Sequence, residues 1–352
     1  MDFFENQRKR IQAFLRDYLE KKARELGQVN PWGRDACDRL AAFTLGGKMI
    51  RGALTALSAR MYGFSDPSET LKAGAAIELL QSAFLIHDDI MDGDETRRGE
   101  PSLFYQYQRW GEKRRFSDPL LFGQSMGICV GDIAFFLLID ILSGLEVPPA
   151  IRQRITGLCA GEIAATCTAQ MQDVHWGYSE EPEEEQDILN LYVHKTGRYT
   201  FGLPLSVGAI LAGQPEETLG TLQRLGERLG IVFQIKDDEL GLYGSEEEIG
   251  KPVGSDLGEG KKTLFMHYLF KEASLDEREK LKRISASGKV GSSDLNYVRG
   301  LLDAHGIGER IGKTLSRYAE EARILIDSLD GTVERYRTAL KELLEYLLER
   351  RS

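Results

Sequence analysis

The residues of this chain best placed to do chemistry are acids crowded between an apolar run and a pair of arginines. Phe84 to Gly99 reads FLIHDDIMDGDETRRG, with Asp88, Asp89, Asp92 and Asp94 ahead of Arg97 and Arg98. If the preceding run ELLQSAFLI stays helical through the first aspartates, Asp88 and Asp92 are i,i+4 and share a face. Two carboxylates one turn apart repel each other, so a cation must offset them. Mg²⁺ suits, because it takes one or two carboxylates and completes its shell with phosphate oxygens. Arg97 and Arg98 could take the remaining phosphate charge in forked hydrogen bonds. The competing reading is a solvated acidic helix end, and the helix dipole disfavours acids there.

The same grammar returns in ERLGIVFQIKDDELGLYG, where an apolar helical run carries Phe233 and Gln234 straight into Asp237 and Asp238. Cations come from other segments. Lys48 and Arg51 follow Gly46-Gly47 at a helix start, where glycines and unpaired N–H groups make an anion cradle, ordinary surface cations being the alternative. Lys195-Thr196 sits in a helical pattern interrupted by Gly197 and Gly202-Leu203-Pro204. The stretch GKPVGSDLGEGKKT, with Lys251, Lys261 and Lys262, suits a loop that folds over a charged ligand. Acidic clusters hold a phosphate only through bridging metal. The helices beneath them are apolar, so hydrocarbon should fit below. A diphosphate head on a greasy tail satisfies both halves. The implied chemistry is metal-assisted loss of diphosphate from an allylic carbon, the cation then being attacked by an alkene or trapped internally.

The elements that must position these groups are helical throughout. Apolar residues recur at helical spacing over 3–25, 34–45, 48–62, 68–90, 119–142, 151–171, 189–211, 218–242, 264–286 and 297–349. No β-pattern stands out. Ser68 to Ile90 is apolar nearly all round, which places it centrally and makes Glu78, Gln81 and His87 its polar exceptions. The expectation is a single all-α domain over 1–352, a bundle of ten or more helices around a central cavity. The 352 residues are 42% apolar and 28% charged, with a net charge of -10. That charge argues against a nucleic-acid binder. Cys37, Cys129, Cys159 and Cys167 lack ligand or redox spacing, and Cys159 and Cys167 read as core thiols. MDFFENQRKR has no signal-peptide core. Pro119 to Leu142 approaches spanning length, but its polar residues favour a buried helix, so no transmembrane segment and a cytoplasmic location are expected.

With these motifs in place, the sequence resembles the trans-type isoprenyl diphosphate synthases, or polyprenyl synthetases, over about residues 10 to 345. Asp88, Asp89 and Asp92 match the family's DDxxD, followed by its arginine pair at Arg97 and Arg98. GGKMIRG is similar to GGKRxRP, with Met49 for the first arginine and Gly52 for the proline. Gln81 stands where many members have histidine. Lys195-Thr196 matches the KT motif, and Gln170 and Asp173 a GQxxD-type segment with Ala169 for its glycine. The second motif, FQxxDDxxD, lacks its last acid, because position 241 is Gly.

The resemblance implies an isoprenoid-synthase-type bundle, a prenyltransferase activity and Mg²⁺, three ions per active site. It implies Asp88, Asp89, Asp92, Asp237 and Asp238 as metal ligands. Lys48, Arg51, Gln81 and Arg98 would bind isopentenyl diphosphate. Arg97, Lys195, Thr196, Gln234, Lys251 and Lys261 would hold the allylic diphosphate, whether dimethylallyl, geranyl or farnesyl. Catalysis would centre on Asp88, Asp92, Arg97, Lys195 and Asp237, and His87 would serve packing. Product length would be set by Leu80, Ala83 and Phe84, with Ala83 leaving one side open and Phe84 partly closing the other. That favours a 20-carbon product, geranylgeranyl diphosphate, with farnesyl (15) and geranylfarnesyl (25) as neighbours. A homodimer is implied, with 119–142 as its interface helix. A terpene cyclase of the same class and a non-catalytic subunit of a heteromeric synthase are the other readings. The first needs neither the Lys48/Arg51 site nor the KT and GKPxGSD segments.

Overall fold

Several of the long helices start on the same local chemistry. Asn30-Pro31, Asp66-Pro67 and Asp118-Pro119 each put a side-chain acceptor at the N-cap and a proline at the first helical position. Asn30 accepts from the Trp32 N–H at 2.9 Å, Asp66 from Ser68 at 2.8 Å, and Asp118 from Leu121 at 2.9 Å. The computed structural model describes residues 2–179, 183–245, 253–285 and 290–350. Over these it is helical, as the periodicity requires. The helices are α1 Asp2–Leu26, α2 Pro31–Leu45, α3 Ile50–Met61, α4 Pro67–Asp92, α5 Leu103–Lys113, α6 Pro119–Ser143, α7 Pro149–Tyr178 and α8 Glu185–Leu191. After a π-helical segment, Tyr192–Gly202, come α9 Leu203–Leu211, α10 Glu216–Tyr243, α11 Ser255–Gly258, α12 Leu264–Glu272 and α13 Leu275–Ser285. The chain closes with α14 Ser292–Ala304, α15 Ile307–Asp327 and α16 Glu334–Glu349.

The expectation of no β-structure needs one correction. Thr96–Arg97 (β1) pairs antiparallel with Glu100–Pro101 (β2) around a two-residue turn, Arg98-Gly99. Both turn residues have positive φ, 56° and 77°, the geometry that closes a tight hairpin. This hairpin sets the two arginines apart, one in a strand and one at the tip.

Where the sequence suggested one domain, the described residues cluster into two compact units whose segments interleave along the chain. The first takes Met1–Cys159, Pro204–Leu219 and Gly331–Tyr336. Its centre is α4, packed by α3 and α6 and touched by α1, α2 and α5. Small residues permit this: Ala73, Gly74, Ala75, Ala76 and Ala83 have no exposed side chain to speak of. α3 crosses α4 backbone to backbone, and a Cβ on Gly52 would lie 2.9 Å from the Gly74 carbonyl oxygen.

The expectation of a buried α6 also needs correcting. One face packs on α4 and α5, but Leu121, Ile128, Phe136 and Ile139 are exposed. The helix is long and apolar enough to cross a membrane by composition, with only 44% of its most apolar window buried. Cys167, read as a core thiol, is exposed, whereas Cys159 is buried.

The second unit takes Ala160–Leu203, Gly220–Asp330 and Arg337–Ser352. Its core gathers Ile188 and Leu189 of α8, Ile231 and Ile235 of α10, Leu264 and Tyr268 of α12, and Val298 of α14. Here the π-helical segment meets α10 at two glycine pairs. A Cβ on Gly230 would sit 2.0 Å from the Gly197 Cα, and one on Gly226 2.3 Å from the Gly202 nitrogen. That approach brings Lys195 and Thr196 down onto the end of α10 that carries the second aspartate pair.

A test follows from this crossing. Gly230→Ala drives a methyl into backbone, beyond the ~1–3 kcal/mol typical of overpacking. It should lower the melting temperature by several degrees or abolish soluble expression. Gly220→Ala, on the same helix with nothing within 4 Å, should hold or raise it. Thermal melts of the two variants decide, and equal behaviour would refute the tight crossing.

Candidate active site

In the first unit, α4 stays helical through Asp92, so Asp88 and Asp92 share one face, as expected, and both are half-buried. Asp89, a further 100° round the helix, has no accessible surface. The Arg97 Nε donates to its Oδ1 at 2.6 Å, and Arg97 Nη2 pairs with the same oxygen. Arg97 also reaches Asp94 at 3.3 Å and Asp88 at 3.8 Å. Burial pushes the Asp89 carboxyl up to about 7, against the pull of Arg97, while its Oδ2 is buried without a hydrogen-bond partner. The guanidinium is held charged against its own burial by these aspartates. Asp89, expected among the metal ligands, anchors Arg97 in this structure.

Arg98, at the hairpin tip, donates to the Phe43 carbonyl at 3.1 Å and lies against Gly46 and Gly47. It therefore joins the GGKMIRG segment. Met49 is buried in a left-handed conformation (φ 54°) at the entrance to α3, and Lys48 is exposed beside it. Glu78, buried on α4, accepts the Gly52 N–H at 2.7 Å. Burial pushes its carboxyl up, opposed by Arg51, the Gly52 N–H and Arg98. Proline at position 52 has no N–H to give, so the departure from the family motif supplies a bond to Glu78. Gln81 Oε1 is buried without a partner. His87 packs into α6, near the Ile128 carbonyl (3.2 Å) and Asp132 (3.6 Å), where Gly131 leaves it room.

In the second unit, Lys195 pairs with Asp173 of α7. The Thr196 hydroxyl donates to Gln234 Oε1 at 2.9 Å, and Gln234 Nε2 donates to Asp238 Oδ1 at 3.0 Å. Asp238 is buried and takes a second bond, from the Tyr192 hydroxyl. Burial pushes its carboxyl up to about 8. With both oxygens engaged inside the protein, Asp238, expected as a metal ligand, holds the Tyr192 and Gln234 side chains in this structure. Asp237 is half-exposed and pairs with Arg350, at the end of the chain, at 3.0 Å. A Cβ at Gly241 would lie 3.2 Å from Asp256 Oδ2, so an aspartate there would meet another carboxylate. Asp256 pairs with Lys261 at 3.3 Å. Gln170 is half-buried on α7, and Lys251 lies outside the described residues.

The carboxylates left facing outward are Asp88, Asp92 and Asp237, all hard oxygen donors. Among the described residues no three His, Cys, Asp or Glu side chains form a ready-made cage. In the first unit the Asp88–Asp92 pair fits Mg²⁺, which keeps open positions for phosphate oxygens, and Asp237 of the second unit is a donor of the same type. Of the three residues expected to gate product length, Leu80 and Ala83 have no accessible surface. The side at Ala83 expected to be open is filled by packing. Phe84 is half-buried and edge-on to Phe135, centroids 5.4 Å apart. A groove of about 610 Å³ in the second unit, lined by Thr168, Gln172, Trp176 and Asn190, borders none of the site residues. Of the groups found here, Glu78 had a signal in the sequence as a polar exception on an apolar helix. Asp256 had one as an acid of GKPVGSDLGEGKKT, the stretch suited to folding over a charged ligand, and Tyr192 and Arg350 had none.

Comparison with known proteins gives a consistent result. A family model described as Polyprenyl synthetase matches residues 34–302. Geranylgeranyl pyrophosphate synthase from Geoglobus acetivorans is 33% identical, with 87% of each chain covered. Nonaprenyl diphosphate synthase from Mycobacterium tuberculosis is 30% identical, over 88% of this chain and 85% of that one. The fold superposes on a crystal structure of geranylgeranyl pyrophosphate synthase from Corynebacterium glutamicum complexed with isoprenyl diphosphate and magnesium. That pair shares a TM-score of 0.91 and 28% identity, covering 99% of both chains.

The division between buried and outward aspartates is testable in the metal-free protein. Removing one partner of a buried ion pair costs ~3–5 kcal/mol. Asp89→Ala should therefore lower the calorimetric melting temperature markedly. Asp92→Asn, which relieves repulsion with Asp88, should leave it unchanged or raise it. The reverse order would overturn the assignment.

Proposed function

The chain belongs to the polyprenyl synthetase family, and on that premise we propose that it is a short-chain trans-isoprenyl diphosphate synthase making geranylgeranyl diphosphate. The reaction is the 1'-4 condensation of isopentenyl diphosphate with an allylic diphosphate. One observation carries this reading: the second anion anchor at the start of α3. Arg98 lies against the glycines of GGKMIRG, and Glu78 sits beside both Arg51 and Arg98. An enzyme that only ionises and cyclises one diphosphate has no use for a second anchor. This weighs against a terpene cyclase, and the outward acids Asp88, Asp92 and Asp237 weigh against a non-catalytic subunit.

Lys48, Arg51, Arg98 and Gln81 hold isopentenyl diphosphate by charge-assisted hydrogen bonds and leave its alkene uncovered. Lys195 and Lys261 hold the allylic diphosphate, with Thr196 and Gln234 orienting it. Asp88, Asp92 and Asp237 would hold Mg²⁺, three ions in all, whose charge offsets that developing on the leaving diphosphate. Arg97, fixed by Asp89, keeps a positive charge behind the first acid pair. The alkene attacks C1 of the allylic group as the C1–O bond breaks. The proton lost from the new tertiary cation passes to the released diphosphate, so no histidine base is needed. Phe84 is the wall residue that retains accessible surface, and it stops the chain at 20 carbons.

The exposed apolar face of α6, with Phe136 70% accessible, is covered in this reading by a second copy of the chain, giving a homodimer. The location is cytoplasmic.

Incubation with isopentenyl diphosphate, Mg²⁺ and dimethylallyl, geranyl or farnesyl diphosphate should give a 20-carbon diphosphate from each primer. No incorporation would refute a synthase, and cyclic hydrocarbon would establish a cyclase. Phe84→Ala should lengthen the main product by at least one five-carbon unit. An unchanged product from folded, active Phe84→Ala protein would remove Phe84 as the wall.

A further inference from the structure

Tyr192 has no part in the reaction as described, yet its hydroxyl is the junction of three elements of the second unit. It opens the π-helical segment, three residues ahead of Lys195, and its ring is buried. The hydroxyl donates to Asp238 Oδ2 on α10 and accepts the Leu264 N–H at 3.0 Å. Leu264 is the first residue of α12 and follows Lys261-Lys262-Thr263 directly. On its other oxygen Asp238 accepts from Gln234 at 3.0 Å, and Gln234 accepts the Thr196 hydroxyl at 2.9 Å. The bonds run unbroken: Leu264 to Tyr192, Tyr192 to Asp238, and Gln234 between Asp238 and Thr196.

We propose that Tyr192 is a positioning residue for the allylic diphosphate. Its hydroxyl fixes the Asp238 carboxylate, and through Asp238 and Gln234 it sets the direction of the Thr196 hydroxyl. Its second bond fixes the start of α12, and with it the end of the segment carrying Lys261. The inference rests on the synthase reading above and adds to it a residue outside the family motifs.

Three physical points support this role. A phenol is one of few neutral groups that donates and accepts at once while filling an apolar site. Asp238 is 6% exposed, so its oxygens cannot exchange Tyr192 for water without opening the core. Networks of this kind transmit the loss of one member to the others, because each bond restricts the rotamer that makes the next. The motif also has no third acid, since position 241 is Gly, so the pair of aspartates must be held by groups outside it. Tyr192 holds one and Arg350 meets the other.

The alternative is a tyrosine that contributes to packing alone, and the two roles separate experimentally. Tyr192→Phe removes one oxygen and keeps the ring. We expect its KM for the allylic diphosphate to rise about tenfold, the size of one lost hydrogen bond to a charged group. KM for isopentenyl diphosphate should stay within about twofold, because Lys48, Arg51 and Arg98 are untouched. Calorimetric affinity for an unreactive allylic thiolodiphosphate with Mg²⁺ should fall by the same factor. In a Thr196→Val background, Tyr192→Phe should cost distinctly less than in the wild type, since the part of the effect that acts through that hydroxyl is already lost. If Tyr192→Phe does not fold, Asp238→Asn serves in its place. An asparagine can satisfy only one of its two donors, and it should raise the allylic KM likewise.

A drop in melting temperature with both KM values and the calorimetric affinity unchanged would overturn the proposal. So would full additivity with Thr196→Val. Wild-type protein that binds no allylic analogue would overturn the synthase reading and this inference together. Wild-type protein that binds and turns over, with Tyr192→Phe identical to it, would overturn this inference alone.

Discussion

Asp89 has no accessible surface, and its charge is tolerated at the end of an apolar helix because the Arg97 guanidinium lies against it. The same constraint recurs wherever the structure needs a fixed cation or a fixed hydroxyl. Glu78 is buried beside Arg51 and Arg98, Asp173 meets Lys195, and Asp238 is held by Tyr192 and Gln234. Desolvating an unpaired carboxylate costs far more than a typical hydrogen bond returns, so each buried acid dictates where its partner must be. Long flexible side chains such as arginine and lysine are thereby held in one rotamer before any ligand arrives. The more accessible groups are organised by acids held inside the protein.

Helix geometry explains why both motifs use adjacent aspartates. A step of one residue turns a side chain by about 100°. If the first aspartate lies at the edge of the exposed face, the second falls into the core. Asp88 is half-buried and Asp89 buried, and Asp237 and Asp238 repeat the pattern. Burial pushes both inner carboxyls up, Asp89 to about 7 and Asp238 to about 8, against the cationic or hydrogen-bonding partners that favour ionisation. The two members of each pair have different work. The outer one keeps its carboxylate partly accessible, and the inner one fixes neighbouring side chains.

Much of the fold could be read from the chain. The 3.6-residue periodicity places the long helices to within a few residues, and the aspartate motifs fall at the ends of two of them. What could not be read depends on rotation about a helix axis and on contacts distant in sequence. A string of letters does not say which of two adjacent aspartates faces the core, so the inward positions of Asp89 and Asp238 are not legible in it. The open face of α6 was hidden for the same reason, since its apolar residues surround it almost evenly. Tyr192 and Arg350 join the site only through tertiary structure, at separations of 46 residues from Tyr192 to Asp238 and more than 100 from Asp237 to Arg350.

The departures from the family motifs carry the opposite lesson. Counted letter by letter, Gly52 loses a proline and Gly241 loses an acid. In the folded chain Gly52 lets α3 approach the Gly74 backbone and donates its N–H to Glu78, which a proline could do in neither respect. Gly241 lies where a longer side chain would run into the Asp256 carboxylate, so the local negative charge is already present from another segment. Adding an acid at 241 would bring two carboxylates together beside Asp237 and Asp238, which already repel. A motif position is therefore better judged by the electrostatic and steric sum at that point in space than by its own residue type.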